Sequence, residues 1–255
     1  MKPQTALLIV LALLLTDAAA AQQTRNVFEN PQNLQVLPED IAPQDLGRVM
    51  RGFALGLGLR CESCHVGEAG QPLSTFDFES DEKAMKRKAR LMLEMTRTIN
   101  TTLVPTLDDV EKAERVEVRC VTCHRGQPQP RMIWDVLDDE LAENGVEGAV
   151  AEYRSLRQQF YGSHSYDFSE FTLPTFAQSL AREAQVDAAI AFAKLNLEYF
   201  PESFYSVATL AELYESSGNA GQAIASYKRA IELNPAMEPR ITPRIEALQA
   251  TLDQG

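Results

Sequence analysis

Histidine is scarce in this chain: three residues in 255, two of them directly after a cysteine. A metal site made of clustered imidazoles is therefore excluded. Cysteine is nearly as sparse, with four residues, and tryptophan occurs once. A basic excess is missing too, since 24 Lys and Arg face 36 Asp and Glu for a formal charge of −12. Without a run of cations to neutralise a series of phosphates, nucleic acid is excluded as a partner. Nor is there an apolar run of about 20 residues, the length that spans a bilayer; the stretch Ala6–Leu15 holds ten.

What is present is concentrated. All four cysteines and two histidines fall in Cys61-Glu62-Ser63-Cys64-His65 and Cys120-Val121-Thr122-Cys123-His124. Cys-x-x-Cys-His is the attachment signature of c-type haem. The two thiols form thioethers to the porphyrin vinyl groups, and the histidine becomes the proximal iron ligand. Two copies imply two covalently bound haems. A four-cysteine zinc ribbon separates its pairs by about 15 to 20 residues, whereas Cys64 and Cys120 are 56 apart. Two disulfides, or a thioredoxin-like pair, require no histidine after each second cysteine.

The amino terminus fits this chemistry, because c-type haem is attached outside the cytoplasm. Lys2, the apolar stretch Ala6–Leu15 and Ala18-Ala19-Ala20-Ala21 form the n-region, h-region and small-residue cleavage site of a signal peptide, with cleavage expected after Ala21. The expected location is periplasmic or exported, with membrane association through a partner in view and an uncleaved signal anchor as the alternative. Charge then divides the remainder: residues 22–131 carry 15 basic against 16 acidic residues, and 132–255 carry 8 against 19. Such a step indicates two modules, a haem domain over 22–131 followed by a linker and helix, 132–168, and a second domain, 169–255.

In the haem domain, Pro43 predicts a helix over Gln44–Ala54 with Met50 on it. Gly52, Gly56 and Gly58 are expected to let the backbone turn and approach a flat ring before Cys61. A second helix is expected from Ser80 or Asp81 to Thr102, with Met85, Met92, Met95 and Ile99 at helical spacing. Methionine stripes are commonly core. Here His65 and His124 supply one ligand each, so two irons need sixth ligands and Met50, Met85, Met92 and Met95 are the candidates. Lys83, Lys86, Arg87, Lys88 and Arg90 form a basic run, read either as a solvated face balancing haem propionates or as a docking patch for an acidic partner. Arg125 is also placed to face a propionate. His164, in a Gly-Ser-His-Ser turn, is expected at the surface and not as a ligand.

Several segments resemble the cytochrome c subunit of photosynthetic reaction centres. They are Asn33-Leu34-Gln35-Val36-Leu37-Pro38, the Met50 helix with its glycines, Asp81-Glu82-Lys83, Met92-Leu93-Glu94-Met95-Thr96-Arg97 with Ile99-Asn100, and the run from Val121 through Arg125-Gly126-Gln127-Pro128. The resemblance covers roughly residues 30 to 131. It implies that each methionine ligand lies on the helix preceding its motif, which pairs Met50 with His65 and Met92 with His124. Met92 is preferred to Met95 as the first methionine of the Met-x-x-Met-Thr-Arg run. Membrane-bound members of that family carry four haems, one of them bis-histidine. No histidine lies between Met92 and Cys120, which suits a chain holding a single haem pair.

The acidic half repeats at 34 residues. Ala189, Ile190, Ala191, Lys194, Glu198 and Pro201 recur as Ala223, Ile224, Ala225, Lys228, Glu232 and Pro235. Leu210, Ala211, Tyr214, Ala223, Tyr227, Ala230 and Pro235 fit the tetratricopeptide pattern, with a final helix from Pro239 to Leu252 capping the stack. A helix is also expected over Gly145–Phe160. Arg131–Ala142 is read as a connector whose start, Gln127-Pro128-Gln129-Pro130, is extended, with Trp134 packing between modules.

The expectation is an all-α exported dihaem cytochrome c with a tetratricopeptide-like tail. It acts as an electron carrier between a redox-protein donor and acceptor, with a protein partner at the repeats in view. The rivals are a donor subunit bound to a photosynthetic reaction centre within a membrane electron-transfer complex, a dihaem peroxidase-like enzyme, and a redox-sensing adaptor.

Overall fold

The structure, a computed structural model, describes residues 26–107 and 117–254. The expected signal segment lies outside the described residues. Those residues are all-α, and their one extended pairing is an isolated antiparallel bridge between Val66 and Asp77. The chain divides into two compact units between Pro128 and Gln129.

In the first unit, Pro43 opens α1 (Pro43–Leu57) and Gly58 closes it in the left-handed conformation at φ 64°. Burial of Gly56 and Leu57 carries the helix past the expected end at Ala54. α2 is the single turn Cys61–Cys64. α3 (Ala84–Thr98) begins later than expected, because residues 77–82 satisfy their own backbone. Asp77 Oδ1 accepts from the N–H groups of Glu79 and Ser80 at 3.0 and 2.9 Å. Lys86 donates to the carbonyls of Phe78, Glu79 and Ser80 at 2.8, 3.1 and 2.8 Å. Past Thr98 the helix widens into a π-turn, Ile99–Leu103, then tightens to a 3₁₀ turn, Val104–Thr106. α4 is the turn Cys120–His124. Only Leu46 and Leu57 are buried hydrophobic side chains among the described residues of this unit.

The second unit holds nearly all of the protein's apolar core. α5 (Ile133–Phe160) is two helices joined at Gly145, whose φ of 69° and ψ of −170° interrupt it. Residues 133–142, expected as a connector, form its first part: Ile133 and Leu137 are buried, and Trp134 packs on this unit's own core. The acidic residues Asp138, Asp139 and Glu140 mask that amphipathic start in the sequence. α6 (Thr172–Arg182), α7 (Val186–Tyr199), α8 (Phe204–Ser216), α9 (Ala220–Leu233) and α10 (Glu238–Asp253) follow. Each packs on the next, and α5 packs on α7. α9 lies 34 residues after α7 with matching ends. Ala189, Ala193, Ala211, Ala223 and Ala230 are fully buried, and small side chains of this kind let helix backbones approach closely. Buried Asn196 donates to the Glu170 carbonyl at 3.0 Å and to Ser206 Oγ at 2.7 Å, tying α7 to the first turn of α8.

Candidate functional site

The first motif folds as one helical turn, so its thiols at i and i+3 project from the same side. The His65 N–H closes that turn by donating to the Cys61 carbonyl at 2.9 Å, and Lys83 ties it to the start of α3 by donating to the Glu62 carbonyl. Cys61, Cys64, His65 and Met50 all line one cavity of about 190 Å³, with Phe78 and Leu93 among its apolar walls. Four residues predicted from the sequence thus converge on a single space. The His65 ring packs edge-on against Phe78 at 4.8 Å between centroids. Its Nδ1 is buried with no hydrogen-bond partner. Burial, and then the charges of Lys86, Arg90 and Lys83, push its pKa down to about 4. The imidazole is therefore neutral at pH 7 and offers a lone pair to a metal. Burial also pushes the Cys64 and Cys120 thiols up, with Cys61 and Cys123 respectively adding to the effect. They are protonated at neutral pH, unlike the activated thiolates of cysteine catalysis. None of the four cysteines is in a disulfide. The two pairs do not converge: no group of three or more Cys, His, Asp or Glu gathers among the described residues.

One wall of the cavity is the segment Asn33–Leu37, and Asp81 anchors it. The Asp81 carboxylate accepts from Asn33 Nδ2 at 3.0 Å and Gln35 Nε2 at 3.1 Å, and pairs with Lys86 at 3.1 Å and Arg90 at 2.8 Å. The Arg90 and Asn33 hydrogen bonds, foremost, hold its pKa well below the usual carboxylate range. Arg90 also donates to the Asn33 carbonyl at 3.1 Å and Arg97 to that of Val36 at 2.7 Å. Arg87 donates to the carbonyls of Asp81 and Glu82 at 2.5 and 2.9 Å. Within the basic run Lys83, Lys86 and Arg90 are partly buried, while Arg87 and Lys88 are exposed. Lys86, Arg87 and Arg90 fasten loop 78–82 and the Asn33 segment to α3, and Lys83 holds the first attachment turn.

The second motif is also one turn, α4. Thr122 Oγ1 accepts from the Arg119 N–H at 3.0 Å. His124 Nδ1 lies 2.9 Å from the Gln127 carbonyl, an arrangement that places the ring proton on Nδ1 and the lone pair on Nε2, the nitrogen that would bind a metal. From α3's side, the Asn100 carboxamide pairs twice with Val118, donating to its carbonyl and accepting from its N–H, each at 2.8 Å. From α1's side, the Gly126 N–H donates to the Gly56 carbonyl at 2.9 Å. Gly56 and Gly58 thus admit the backbone of the second motif, where the sequence suggested approach to a ring. Met92 is half-buried and Met95 is 46% exposed. The first cavity includes neither methionine and none of Cys120, Cys123 and His124. On α3, Lys86, Ala89, Arg90 and Leu93 face that cavity. At 100° per residue Met85, Met92 and Ile99 share a different face. His164 is exposed in a turn at φ 62°.

The family model of the photosynthetic reaction centre cytochrome c subunit matches residues 11–191. The chain belongs to that family. It is 35% identical over 74 residues to the photosynthetic reaction center cytochrome c subunit of Rubrivivax gelatinosus (strain NBRC 100245 / IL144), covering 29% of this chain and 16% of that protein. The chain thus matches a small part of the length of that relative. No solved structure matches.

A c-type haem suits the residues at the first motif: two thiols on one turn, a neutral imidazole with an orphaned ring nitrogen, a thioether and apolar walls share one cavity. The near-absence of buried side chains among the other described residues of the unit agrees, since a large flat apolar group would supply the core that they do not form. At the second motif the same donor types are present, with the imidazole already oriented. Sequence reasoning missed the roles of Asp81, Asn100, Phe78 and the Gln127 carbonyl. The Asn33 and Asp81 segments both stood out as motifs, but nothing in a one-dimensional pattern shows that they bond to one another.

Proposed function

We propose that the chain is an exported dihaem c-type cytochrome that carries electrons. Cys61 and Cys64 would hold one haem, with His65 and Met50 as axial ligands. Cys120 and Cys123 would hold the other, with His124 and Met92. The observation that carries this reading is the convergence of Met50, Cys61, Cys64 and His65 on one apolar cavity. When bound, haem iron supplies one-electron exchange, and methionine opposite histidine favours the ferrous state. The protein contributes the rest: apolar walls that exclude water, the Asp81 network that holds one wall, and two histidines fixed in orientation. With both axial positions filled, no site is left for a substrate, which separates this reading from a peroxidase. The second unit is read as a tetratricopeptide-like stack, supported by the 34-residue displacement of α7 and α9 and the buried alanines at its helix contacts.

Protein recovered after secretion should be coloured and heavier than its polypeptide by two porphyrins. Met50→His and Met92→His should each alter the spectrum of one haem, with no fast peroxide turnover in the parent. A colourless product, or unchanged spectra in both variants, sinks the ligand assignment, and rapid turnover of peroxide points to an enzyme. The family match favours one further reading, a donor subunit bound to a reaction centre. Flash-induced haem oxidation in photosynthetic membranes containing the protein tests it.

A further inference from the structure

The end of α1 and the second attachment turn meet at a range that leaves no room for a side chain. A Cβ at Gly56 would stand 3.0 Å from Cys120 Cβ and 3.1 Å from the Val121 nitrogen. One at Gly58 would stand 2.2 Å from the Gly126 carbonyl oxygen. The Gly126 N–H donates to the Gly56 carbonyl across the same contact, and the paired hydrogen bonds between Asn100 and Val118 hold the segment from the other direction. α4 is therefore mounted at two points, on the helix that bears Met50 and on the π-turn that follows the helix bearing Met92.

We propose that Gly56 is a positioning residue for the second redox centre. Its backbone contact with Cys120 sets where that centre sits, so the helix that supplies Met50 to the first centre also registers the second. The inference rests on the dihaem reading. Bulk at position 56 pushes directly on Cys120, which would be a haem tether. Asn100 prevents the segment from sliding away, so the displacement reaches the imidazole–iron–thioether axis at His124. Gly52 lies one turn earlier on the same helix, and a Cβ there meets nothing within 4 Å.

The test compares Gly56→Val with Gly52→Val in the full-length secreted protein, within a Met50→His background that makes the first centre spectrally distinct. Both variants place the same β-branched residue in α1, but only one meets α4. Gly56→Val should shift the midpoint potential and the methionine-to-ferric-iron charge-transfer band of the second centre, while Gly52→Val leaves both at parental values. If Gly56→Val is not recovered with two haems, Gly56→Ala against Gly52→Ala is read in the same way, since its methyl requires movement of only a few tenths of an ångström. Gly56 variants that match their Gly52 counterparts in a two-haem protein overturn the proposal. A parent protein lacking two haems, or lacking a methionine signature at His124, would overturn the dihaem reading, and this is seen before any glycine variant is made.

Discussion

Without covalently bound haem the first unit should not hold its fold, and the second should be indifferent. The perturbation is expression of the mature chain in the cytoplasm, where thioether attachment does not occur. Leu46 and Leu57 are the buried hydrophobic side chains of the described first unit. Two buried leucines contribute about 4 kcal/mol, too little to order a segment of this length. The four α-helices of this unit have 15, 4, 15 and 5 residues, against 28, 11, 14, 13, 14 and 16 in the second. Far-ultraviolet circular dichroism should thus lose a little under a third of the α-helical signal relative to the secreted protein. Limited proteolysis should leave one resistant fragment that begins close to Gln129, with the melting temperature of the second unit unchanged. Haem-free protein that keeps its full helical signal, and whose first unit resists protease, would refute the claim that the cofactor is its core.

Other outcomes follow from particular contacts. Phe192 is fully buried with its ring 4.9 Å from that of Phe176, so Phe192→Ala should cost about 3–5 kcal/mol in denaturant unfolding of the second unit and leave haem spectra untouched. Gly145→Ala introduces a side chain at φ 69° and ψ −170°, a region that is essentially glycine-only, and should cost about 1–3 kcal/mol, read as a lowered melting temperature; a rise would show that the two halves of α5 prefer to fuse. Because the folded-state pKa of Asp81 is depressed from 3.8, its contribution to the first unit is complete above about pH 4 and is lost as pH falls through the lower folded value. Asp81→Asn should flatten that acid dependence, and an unchanged acid profile of the haem spectrum would show that the hub does not hold the cavity wall.

The two Cys-x-x-Cys-His turns were legible because they are contiguous motifs, and contiguous motifs survive in one dimension. The helical position of Met50 was legible for a related reason: it sits on a short helix announced by Pro43 and ended by glycine. The start of α3 was not, since residues 77–82 look helical until Lys86 and Arg87 are seen to take up their carbonyls. The same long-range bonds turned part of an apparent charged surface into internal fastening. Residues 133–142 were misread because acidic residues interleave with Ile133 and Leu137, hiding a buried face. The 34-residue period corresponds to the offset between α7 and α9, whose buried residues Ala189 and Ala223 stand at the same spacing.

α3 turns one side to the first cavity through Ala89 and Leu93 and presents Met92 from another. Its residues can vary so long as each side keeps its chemistry, but its length cannot. A single insertion between Ala89 and Met92 would rotate everything beyond it by about 100°, carrying Met92 and Leu93 to other sides of the helix while every motif in the sequence remained intact. Relatives that preserve both cysteine pairs yet differ by one residue in this helix should therefore be expected to have replaced the ligand proposed for the second haem.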